Sequence, residues 1–401
     1  MKILVFTSLY PNSQFPNHGI FIRERMAKFV RQSGHEIKVV APVPYFPPIK
    51  GNARWKYSQV SDKETDDGIE VFHPRYLVTP KVGMMFYGVF MFLSVVAFIA
   101  RLRRTFDFDL IDSHFVYPDG LAGVLLGRYF GKPVTVSARG SDVNLYRTMR
   151  LIRPLLRYAL KKADGVVAVS RALKTAMVEL GVPGDRIAVI PNGVDGDKFT
   201  QLSRAEARIR LGLSEGKIVL SVGHLAEVKG FELLVKAMKV LEQDTRAGNL
   251  RLVIVGEGGY RKHLEWLIAS LGLSSRVLLV GAIAHAQLPT WYNAADLFCL
   301  ASEREGWPNV LMEALACGIP VLATPVGGVP EILASPELGG FLERNEAAIA
   351  KAIIDGVTRQ WSAVPFQRFA EAHSWDRVAR DLELVFASAI RRKSTSCGVA
   401  A

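Results

Sequence analysis

Two carboxylates frame a short turn in the segment SEREGWPNVLMEALACG: Glu305 precedes the turn, and Glu313 follows it after seven intervening residues. The residue types from Gly306 to Asn309 predict the turn, and a helix is predicted to begin near Val310. Backbone N–H groups at the start of a helix have no partner within the helix, so they can bind an anion or hydroxyl groups. Carboxylates accept hydrogen bonds from hydroxyl groups, which makes both glutamates candidate ligand contacts. The alternative is a helix whose glutamates are merely solvated.

Lys229 lies in a second loop of this kind. It follows the apolar run KIVLSVG and precedes the helical pattern FELLVKAMKV. A lysine side chain and the positive end of a helix can converge on one phosphate group. Lys229 is therefore the leading candidate for a phosphate contact, and Gly223 and His224 belong to the same loop. A solvent-exposed surface lysine is the alternative interpretation.

Three segments of the first half carry further candidates. His114 is predicted to end the strand in DLIDSHF, and ligands of parallel sheets bind beyond the carboxyl ends of the strands. Gly19 stands where a helix is predicted to start, and a missing side chain there permits close approach of the backbone to a ligand. Arg139, Gly140 and Asp142 form a comparable loop in ARGSDVN. A structural histidine and two simple turns are the alternatives.

The elements that must position these residues alternate regularly along the chain. Short apolar runs with β-forming residues alternate with helical patterns, first in ILVFTS, FIRERMAKFVRQSG and EIKVVAP and then in a second series from KIVLSVG to PVLAT. This alternation predicts parallel sheets built from βαβ units, that is, two Rossmann-like α/β domains. The turn-forming segment VIPNGVD is predicted to link them. The predicted division is 1–195 and 196–375, then a helix over 376–391 and a flexible tail over 392–401.

Composition limits the class of protein. The 401 residues suit two domains, and the hydrophobic fraction of 49% suits a folded enzyme. Three scattered cysteines argue against a disulfide framework or a zinc site, and the MKILVFTSLYP start predicts a buried strand and no export signal, so we expect a cytoplasmic protein. The formal net charge is +12, and residues 1–200 hold 28 Lys and Arg against 17 Asp and Glu. A basic first half favours an anionic partner, but no nucleic-acid-binding module is recognisable.

Taken in order, the motifs resemble those of the family-4 retaining glycosyltransferases. The resemblance rests on SEREGWPNVLMEALACGIPVLATPVGGVPEIL, SVGHLAEVKGFELL, VIPNGVD, LVIVGEG, the N-terminal glycine turn and the final helix that starts at SW. It implies the GT-B fold, in which two Rossmann-like domains face each other across a cleft and the C-terminal helix returns to the first domain. It also implies a nucleotide-diphosphate sugar as donor, bound mainly by the second domain. The acceptor is then bound mainly by the first domain.

The resemblance also implies roles for individual residues. Glu305 binds donor-sugar hydroxyls and supports developing positive charge, Glu313 binds the ribose hydroxyls, and His114 lies beside the reacting centre. The implied catalytic residues are His114, Lys229 and Glu305. The implied donor-binding residues are Gly19, Gly223, His224, Lys229, Glu305, Gly306, Trp307, Asn309, Val310 and Glu313. Arg139, Gly140 and Asp142 are expected on the acceptor side.

The sequence departs from the family pattern at two positions. The family commonly has an arginine where this chain has His224, which is shorter and only partly charged at neutral pH, and it often has two glycines where this chain has His18-Gly19. The reaction expected from the resemblance transfers a hexose with retention and uses no metal and no cofactor. The leaving phosphate assists deprotonation of the acceptor.

Two motifs point to other chemistries. Residues 107–109 and 195–197 both spell the Asp-x-Asp pattern of metal-dependent glycosyltransferases, but neither sits in a predicted metal-binding loop. The glycines of the GEGG segment, residues 256–259, follow an apolar run as in a dinucleotide-binding loop, yet the acidic ribose partner is missing at the usual distance. We therefore expect neither a metal site nor NAD binding.

Residues 82–100 contain no charged side chain, and Arg101, Arg103 and Arg104 follow directly. Such a run is long enough to cross a membrane, but it lies inside one predicted α/β domain. Three interpretations stay open: a membrane-seated helix with a basic rim, a buried helix and a true span. The first favours a peripheral protein at an anionic inner membrane surface. The acceptor would then be lipid-linked or a growing surface polysaccharide, as the similarity to exopolysaccharide and teichuronic-acid enzymes suggests.

Two rival functions are compatible with these motifs. One is a nucleotide-sugar hydrolase or epimerase of the same architecture, and the other is a non-catalytic partner that binds sugar nucleotides in a membrane assembly. Turnover with and without an acceptor separates the three functions.

Overall fold

The computed structural model describes residues 1–49, 54–79, 83–213 and 215–398, with side chains to residue 395. The chain divides into two compact units, of which the first comprises Met1–Asn192 and Trp375–Ala401 and the second comprises Gly193–Ser374. The first division therefore falls after Asn192, within the turn segment VIPNGVD, slightly before the predicted position at 195. Both units are Rossmann-like α/β domains.

The first domain is built on an eight-stranded sheet. The strands of the whole domain are β1 (Lys2–Phe6), β2 (Glu36–Val40), β3 (Val43–Pro44), β4 (Lys63–Asp66), β5 (Ile69–Phe72), β6 (Arg75–Tyr76), β7 (Leu110–His114), β8 (Val134–Ala138), β9 (Gly165–Ala168) and β10 (Ile187–Val189). The order is β10-β9-β8-β7-β1-β2-β5-β4, and β3 pairs separately with β6. All pairs are parallel except β4 with β5.

Helices connect these strands, as the alternating pattern predicts. They are α1 (Ile20–Ser33), α2 (Trp55–Ser58), α3 (Tyr87–Leu102), α4 (Leu121–Phe130), α5 (Ser141–Asn144), α6 (Arg153–Lys162) and α7 (Arg171–Glu179). The central strands are buried along their whole length, which explains their continuous apolar composition. Apolar side chains of α1 and the strands β1, β2 and β5 form one continuous core.

The second domain contains a six-stranded, fully parallel sheet. Its elements are α8 (Arg204–Arg210), β11 (Ile218–Val222), α9 (Phe231–Leu241), β12 (Arg251–Val255), α10 (Arg261–Ser270), β13 (Val277–Gly281), α11 (Leu288–Ala294), β14 (Leu297–Leu300), α12 (Asn309–Ala316), β15 (Val321–Ala323), α13 (Val329–Ile332), β16 (Gly339–Phe341), α14 (Glu346–Thr358) and α15 (Val364–Ala372). The strand order is β13-β12-β11-β14-β15-β16. The chain adds β12 and β13 on one side of β11 and β14 to β16 on the other, so the strand order reverses between β11 and β14 and creates the switch point at which such sheets bind ligands.

The final helix, α16 (Trp375–Gly398), packs on the first domain. The ring of Phe386 lies 5.4 Å from that of Phe29 on α1, and Asp376 pairs with Lys28 at 3.3 Å. The helix continues beyond residue 391, where the sequence predicts its end, so residues 392–398 are helical and do not form a flexible tail. No proline or glycine interrupts it before Gly398, and residues 399–401 lie outside the described part of the chain.

The long apolar segment forms a short 3₁₀ turn (Met84–Phe86) followed by α3, while residue 82 lies outside the described ranges. The stretch Met84–Leu102 is long and apolar enough to cross a membrane. Only 28% of its most apolar 18 residues are buried in the protein. One side packs on α4, where a side chain at Gly88 would come within 2.7 Å of Leu121. The wholly buried alternative is therefore wrong, because Phe86, Val89 and Leu93 on this stretch are exposed.

Candidate active site

Four loops meet at the carboxyl edge of the second sheet. They follow the neighbouring strands β12, β11, β14 and β15, and they carry the GEGG segment, Lys229, Glu305 and the glycines 327 and 328. Because parallel strands all end at the same edge, loops distant in sequence become neighbours. The turn before α12 ends where the helix begins at Asn309, one residue earlier than predicted.

Lys229 and Glu305 form an ion pair at this edge. The Nζ atom of Lys229 lies 2.7 Å from Oε1 of Glu305, and the Ser302 hydroxyl donates a hydrogen bond of 2.7 Å to the same oxygen. The Glu305 side chain is only 9% exposed, whereas that of Lys229 is 26% exposed. The pair therefore places a cation and a carboxylate side by side in a largely desolvated position, where both interact more strongly with a charged ligand than they would in water.

Two glycines allow the loops to approach this closely. Gly230 has φ +68°, and a Cβ atom there would lie 2.1 Å from the carbonyl oxygen of Ala301. Gly327 has φ +56°, and a Cβ atom there would lie 2.0 Å from the carbonyl oxygen of Glu305. Any larger residue would push the loops apart, so the glycines determine the distance between the chains that carry Lys229 and Glu305.

Glu313 lies on α12 with both carboxylate oxygens engaged. Nε2 of His285 is 2.9 Å from Oε1, and the Tyr292 hydroxyl donates a hydrogen bond of 2.7 Å to Oε2. The ring of Phe199 packs against both partners. Burial and the neighbouring Glu313 raise the pKa of Tyr292 well above its ordinary value, so its hydroxyl stays protonated and keeps donating. Each carboxylate oxygen has a second lone pair, which leaves acceptor capacity for ligand hydroxyls.

The remaining donor-side candidates surround this edge. Gly223 packs directly on Gly256, where a Cβ atom would lie 1.9 Å from the Gly223 carbonyl oxygen, so the GEGG segment supports the Lys229 loop. His224 is exposed, Gly306 accepts a hydrogen bond of 3.0 Å from the N–H of residue 328, and Val310 lies half-buried in the first turn of α12. Trp307 is buried, and its indole N–H has no hydrogen-bond partner among the described residues.

In the first domain, His114 ends β7 as predicted, but both of its ring nitrogens are engaged within that domain. Nδ1 accepts a short hydrogen bond from the Arg139 guanidinium, and Nε2 lies 3.0 Å from Oδ2 of Asp112. Burial lowers the pKa of His114 to about 4 although Asp112 opposes the shift, so the ring is neutral at pH 7. His114 has no exposed surface and contacts the Arg139 guanidinium, and its expected place beside the reacting centre stays a prediction.

Arg139 and Asp142 hold the loop after β8. Nη1 of Arg139 donates a hydrogen bond of 3.0 Å to Asn192, and the guanidinium lies 5.4 Å from the ring of Phe21 on α1. Asp142 accepts hydrogen bonds from the backbone N–H groups of Val116, Arg139 and residue 140, at 2.8, 3.0 and 2.8 Å. The Asp142 carboxylate therefore closes its own loop, and the expected place of this loop on the acceptor side stays a prediction.

Two glycines of this domain have backbone conformations that other residues rarely adopt. Gly140, at φ +129°, turns the chain from β8 into α5. Gly19, at φ +73°, precedes α1, and a Cβ atom there would lie 2.4 Å from the carbonyl oxygen of Leu9. The missing side chain at Gly19 thus permits close packing on the loop after β1, and the expected approach of its backbone to a ligand stays a prediction.

Several residues of both sites were not found from the sequence. Asp112 lies two positions before His114 on one strand, so the two-residue period of a strand could have indicated it. Arg25 of α1 is 1% exposed, and its guanidinium has no hydrogen-bond partner among the described residues, although its charge favours the ionised form of Asp112. His285 and Tyr292 carry no local signal, because only the folding of α11 against α12 brings them to Glu313.

The Asp-x-Asp segments serve structural purposes. Asp107 pairs with Lys132 at 3.1 Å and with Arg103 at 3.0 Å, and Asp109 accepts a hydrogen bond of 2.8 Å from the backbone of residue 2. Asp195 accepts from backbone N–H groups two and three residues further on. Within the described ranges, no three His, Cys, Asp or Glu side chains are grouped as metal ligands would be.

Comparison with known proteins identifies the family. The sequence model of the family Glycosyltransferase Family 4 matches residues 24–198. The sequence model of the family Glycosyl transferases group 1 matches residues 203–371. An uncharacterized glycosyltransferase of Methanocaldococcus jannaschii is 32% identical over 96% of this chain and 98% of its own. The chain belongs to glycosyltransferase family 4. The comparison thus confirms the family resemblance that the motifs of this glycosyltransferase indicated.

Two further proteins show what the enzyme resembles. TuaC of Bacillus subtilis (strain 168), named as a teichuronic acid biosynthesis glycosyltransferase, is 29% identical to this glycosyltransferase over 88% of each chain. The crystal structure of Anabaena HepE in complex with UDP-glucose superposes with a TM-score of 0.71 at 20% sequence identity, over 97% of this chain and 100% of that chain. The likeness in structure confirms the predicted GT-B fold with its two Rossmann-like domains.

Proposed function

We propose that this glycosyltransferase transfers a hexose from a nucleotide-diphosphate sugar to an acceptor hydroxyl with retention of configuration, without a catalytic metal or a cofactor. The observation that carries the proposal is the Lys229–Glu305 pair at the carboxyl edge of the second sheet, beside the start of α12. It supplies a cation for a diphosphate and a carboxylate for sugar hydroxyls within one hydrogen-bond length.

The donor is proposed to bind along this edge. Its diphosphate contacts Lys229 and the N-terminal end of α12, because a helix N-terminus and an ammonium group both favour an anion. The sugar hydroxyls bind Glu305, and the ribose hydroxyls bind Glu313, which His285 and Tyr292 hold in place. The UDP-glucose complex of HepE, a protein of the same fold, supports a nucleotide-sugar donor.

Transfer then breaks the bond between the anomeric carbon and the oxygen of the β-phosphate. The acceptor oxygen forms its bond to the same face of that carbon, and its proton goes to the departing phosphate. Lys229 stabilises the negative charge that gathers on the diphosphate, and Glu305 stabilises the positive charge on the sugar. No covalent intermediate with a protein side chain is required.

The acceptor is proposed to be a lipid-linked or growing surface polysaccharide. The name of TuaC, which refers to teichuronic acid biosynthesis, supports this class. An acceptor of this kind implies a cytoplasmic enzyme that works at the inner face of the membrane.

The test is a panel of UDP-, GDP- and ADP-hexoses, each incubated with and without lipid-linked saccharide acceptors. We expect nucleotide release that depends on the acceptor, and a product whose new linkage has the anomeric configuration of the donor by NMR. Conversion without an acceptor would instead indicate a hydrolase or epimerase. Binding without turnover would indicate a non-catalytic protein, and an inverted linkage would refute retention.

A further inference from the structure

The helix α3 has two apolar sides but only one is covered by protein. Met91, Val95 and Ile99 are fully buried, and they face the interior of the first domain. On the opposite side, Val89 and Leu93 are 37% and 60% exposed. A surface helix of a soluble protein normally turns polar or charged residues to that side.

The exposed side forms one continuous surface with basic residues at one end. Phe86, 46% exposed, precedes Val89 and Leu93 along the segment, and the exposed Arg101 and Arg104 follow in the last turn of α3 and in the turn after it. We call these five residues the α3 face. No Asp or Glu occurs between residues 83 and 106, so nothing on this segment offsets the two arginines.

Two neighbouring residues define the limits of this surface. Tyr129 of α4 extends it, because its ring is 66% exposed and lies 6.2 Å from that of Phe92 on α3. Arg103 does not belong to it, because its guanidinium pairs with Asp107 at 3.0 Å and lies 5.2 Å from the ring of Phe130. The basic rim predicted from three arginines is thus reduced to Arg101 and Arg104.

We infer that the α3 face docks on an anionic lipid bilayer as an interfacial helix. An apolar strip buries itself at the boundary between head groups and acyl chains, and adjoining arginines bind the anionic head groups. The charge of the first 200 residues has the matching sign, with 28 Lys and Arg against 17 Asp and Glu.

Docking in this manner also brings the membrane toward the predicted acceptor side, an extension that rests on the proposed function. The hydroxyl of Tyr117 donates a hydrogen bond to the carbonyl oxygen of Met84, and this bond ties the N-terminal end of α3 to the loop that follows β7. That loop starts directly after His114, at the carboxyl edge of the first sheet. A lipid-linked acceptor would therefore reach this edge without leaving the bilayer.

The experiment is co-sedimentation of the full-length chain with phosphatidylcholine vesicles and with vesicles of phosphatidylcholine and phosphatidylglycerol. We expect binding to the anionic vesicles that salt weakens but does not abolish, because apolar burial is insensitive to salt. Replacing Arg101 and Arg104 together by Gln should weaken binding about 30-fold, at roughly 1 kcal/mol for each arginine. Leu93→Asp should weaken binding more than the double arginine variant does, and it should do so at every salt concentration.

Matched controls lie in the second domain. Arg210→Gln with Arg368→Gln removes the same charge from exposed positions, and Ile209→Asp introduces the same carboxylate at a side chain that is 79% exposed. These variants should bind vesicles as the wild type does. Nucleotide release with a soluble acceptor should be unchanged in all variants, so that failure of docking and failure of the proposed transfer are seen separately.

Three outcomes would overturn the inference. The first is equal binding to neutral and anionic vesicles, or binding to neither. The second is a loss of binding in the control variants as large as in the variants of the α3 face. The third is a dimer in solution that Leu93→Asp converts to a monomer, since a second copy would then cover this surface.

Discussion

Breaking the pair between Lys229 and Glu305 is the most direct test of the donor site. The variants are Lys229→Met, Glu305→Gln and the two combined. The atoms Nζ and Oε1 are 2.7 Å apart, and the Glu305 side chain is 9% exposed, so the contact is a charge-assisted hydrogen bond in a desolvated position. Such bonds contribute about 1.5–3 kcal/mol. If the transition state uses the same groups, each single variant should lower kcat/KM roughly 10- to 150-fold.

The assay is the initial rate of acceptor-dependent nucleotide release over a range of donor concentrations. Thermal unfolding of each variant first establishes that the protein is folded. Because Lys229 and Glu305 contact each other, the double variant should lose less than the sum of the two single losses, with a coupling of about 1 kcal/mol or more. The Ser302 hydroxyl, 2.7 Å from Glu305, keeps one hydrogen bond to the carboxylate in Lys229→Met.

A control pair of similar length lies in the same domain. Lys239 and Glu242 are 2.6 Å apart, but their side chains are 49% and 31% exposed. An exposed pair of this kind contributes less than about 1 kcal/mol, so Lys239→Met and Glu242→Gln should leave transfer and unfolding nearly unchanged. Near-normal kinetics in folded Lys229→Met and Glu305→Gln, or strictly additive losses in the double variant, would refute the proposed donor site.

Three further predictions follow from other parts of the molecule. Transfer should persist in excess EDTA, since Lys229 and helix N–H groups are proposed to bind the diphosphate; a complete loss that magnesium or manganese restores would contradict this. The pKa of His114 is about 4 in the folded protein against 6.5 ordinarily, so the unfolded chain binds more protons between these values, and stability should fall as the pH falls from 6.5 to 4, by up to about 3 kcal/mol. Unfolding by urea at several pH values should show this slope reduced in His114→Gln but retained in His224→Gln, and equal slopes would be inconsistent with a buried neutral ring. Gly230→Ala should lower Tm and transfer much more than Gly272→Ala, because the two have φ +68° and +72° but only Gly230 has atoms within 4 Å of the added Cβ; similar Tm values would show that the loops are not tightly opposed.

Much of the architecture was predictable because it is encoded in short-range patterns. The alternation of β-rich apolar runs with helical periods predicted two Rossmann-like domains, and the helix that contains Glu313 begins one residue from its expected position. Lys229 lies in the loop between β11 and α9, as the flanking patterns indicated. Local periodicity suffices here, because the backbone geometry of a strand or helix determines which side chains share a face.

Contacts between distant segments were decided only by the tertiary structure. Lys229 and Glu305 meet because β11 lies next to β14 in the sheet, an order that no local pattern specifies. His114 has the strand-end position that the sequence indicated, yet its partner Arg139 comes from the loop after the adjacent strand β8, a contact that no local pattern specifies. Such pairs depend on which strands become neighbours.

The segment from Met84 to Leu102 illustrates the same division between local and tertiary information. Its composition by itself determined that the helix is apolar along its whole length, and it left open whether the helix is buried, spans a membrane or lies on one. Packing against α4 decided that one side is covered and that Val89 and Leu93 are exposed on the other. The physical reason is that hydrophobicity is a property of each residue, whereas burial depends on which other parts of the folded chain cover it.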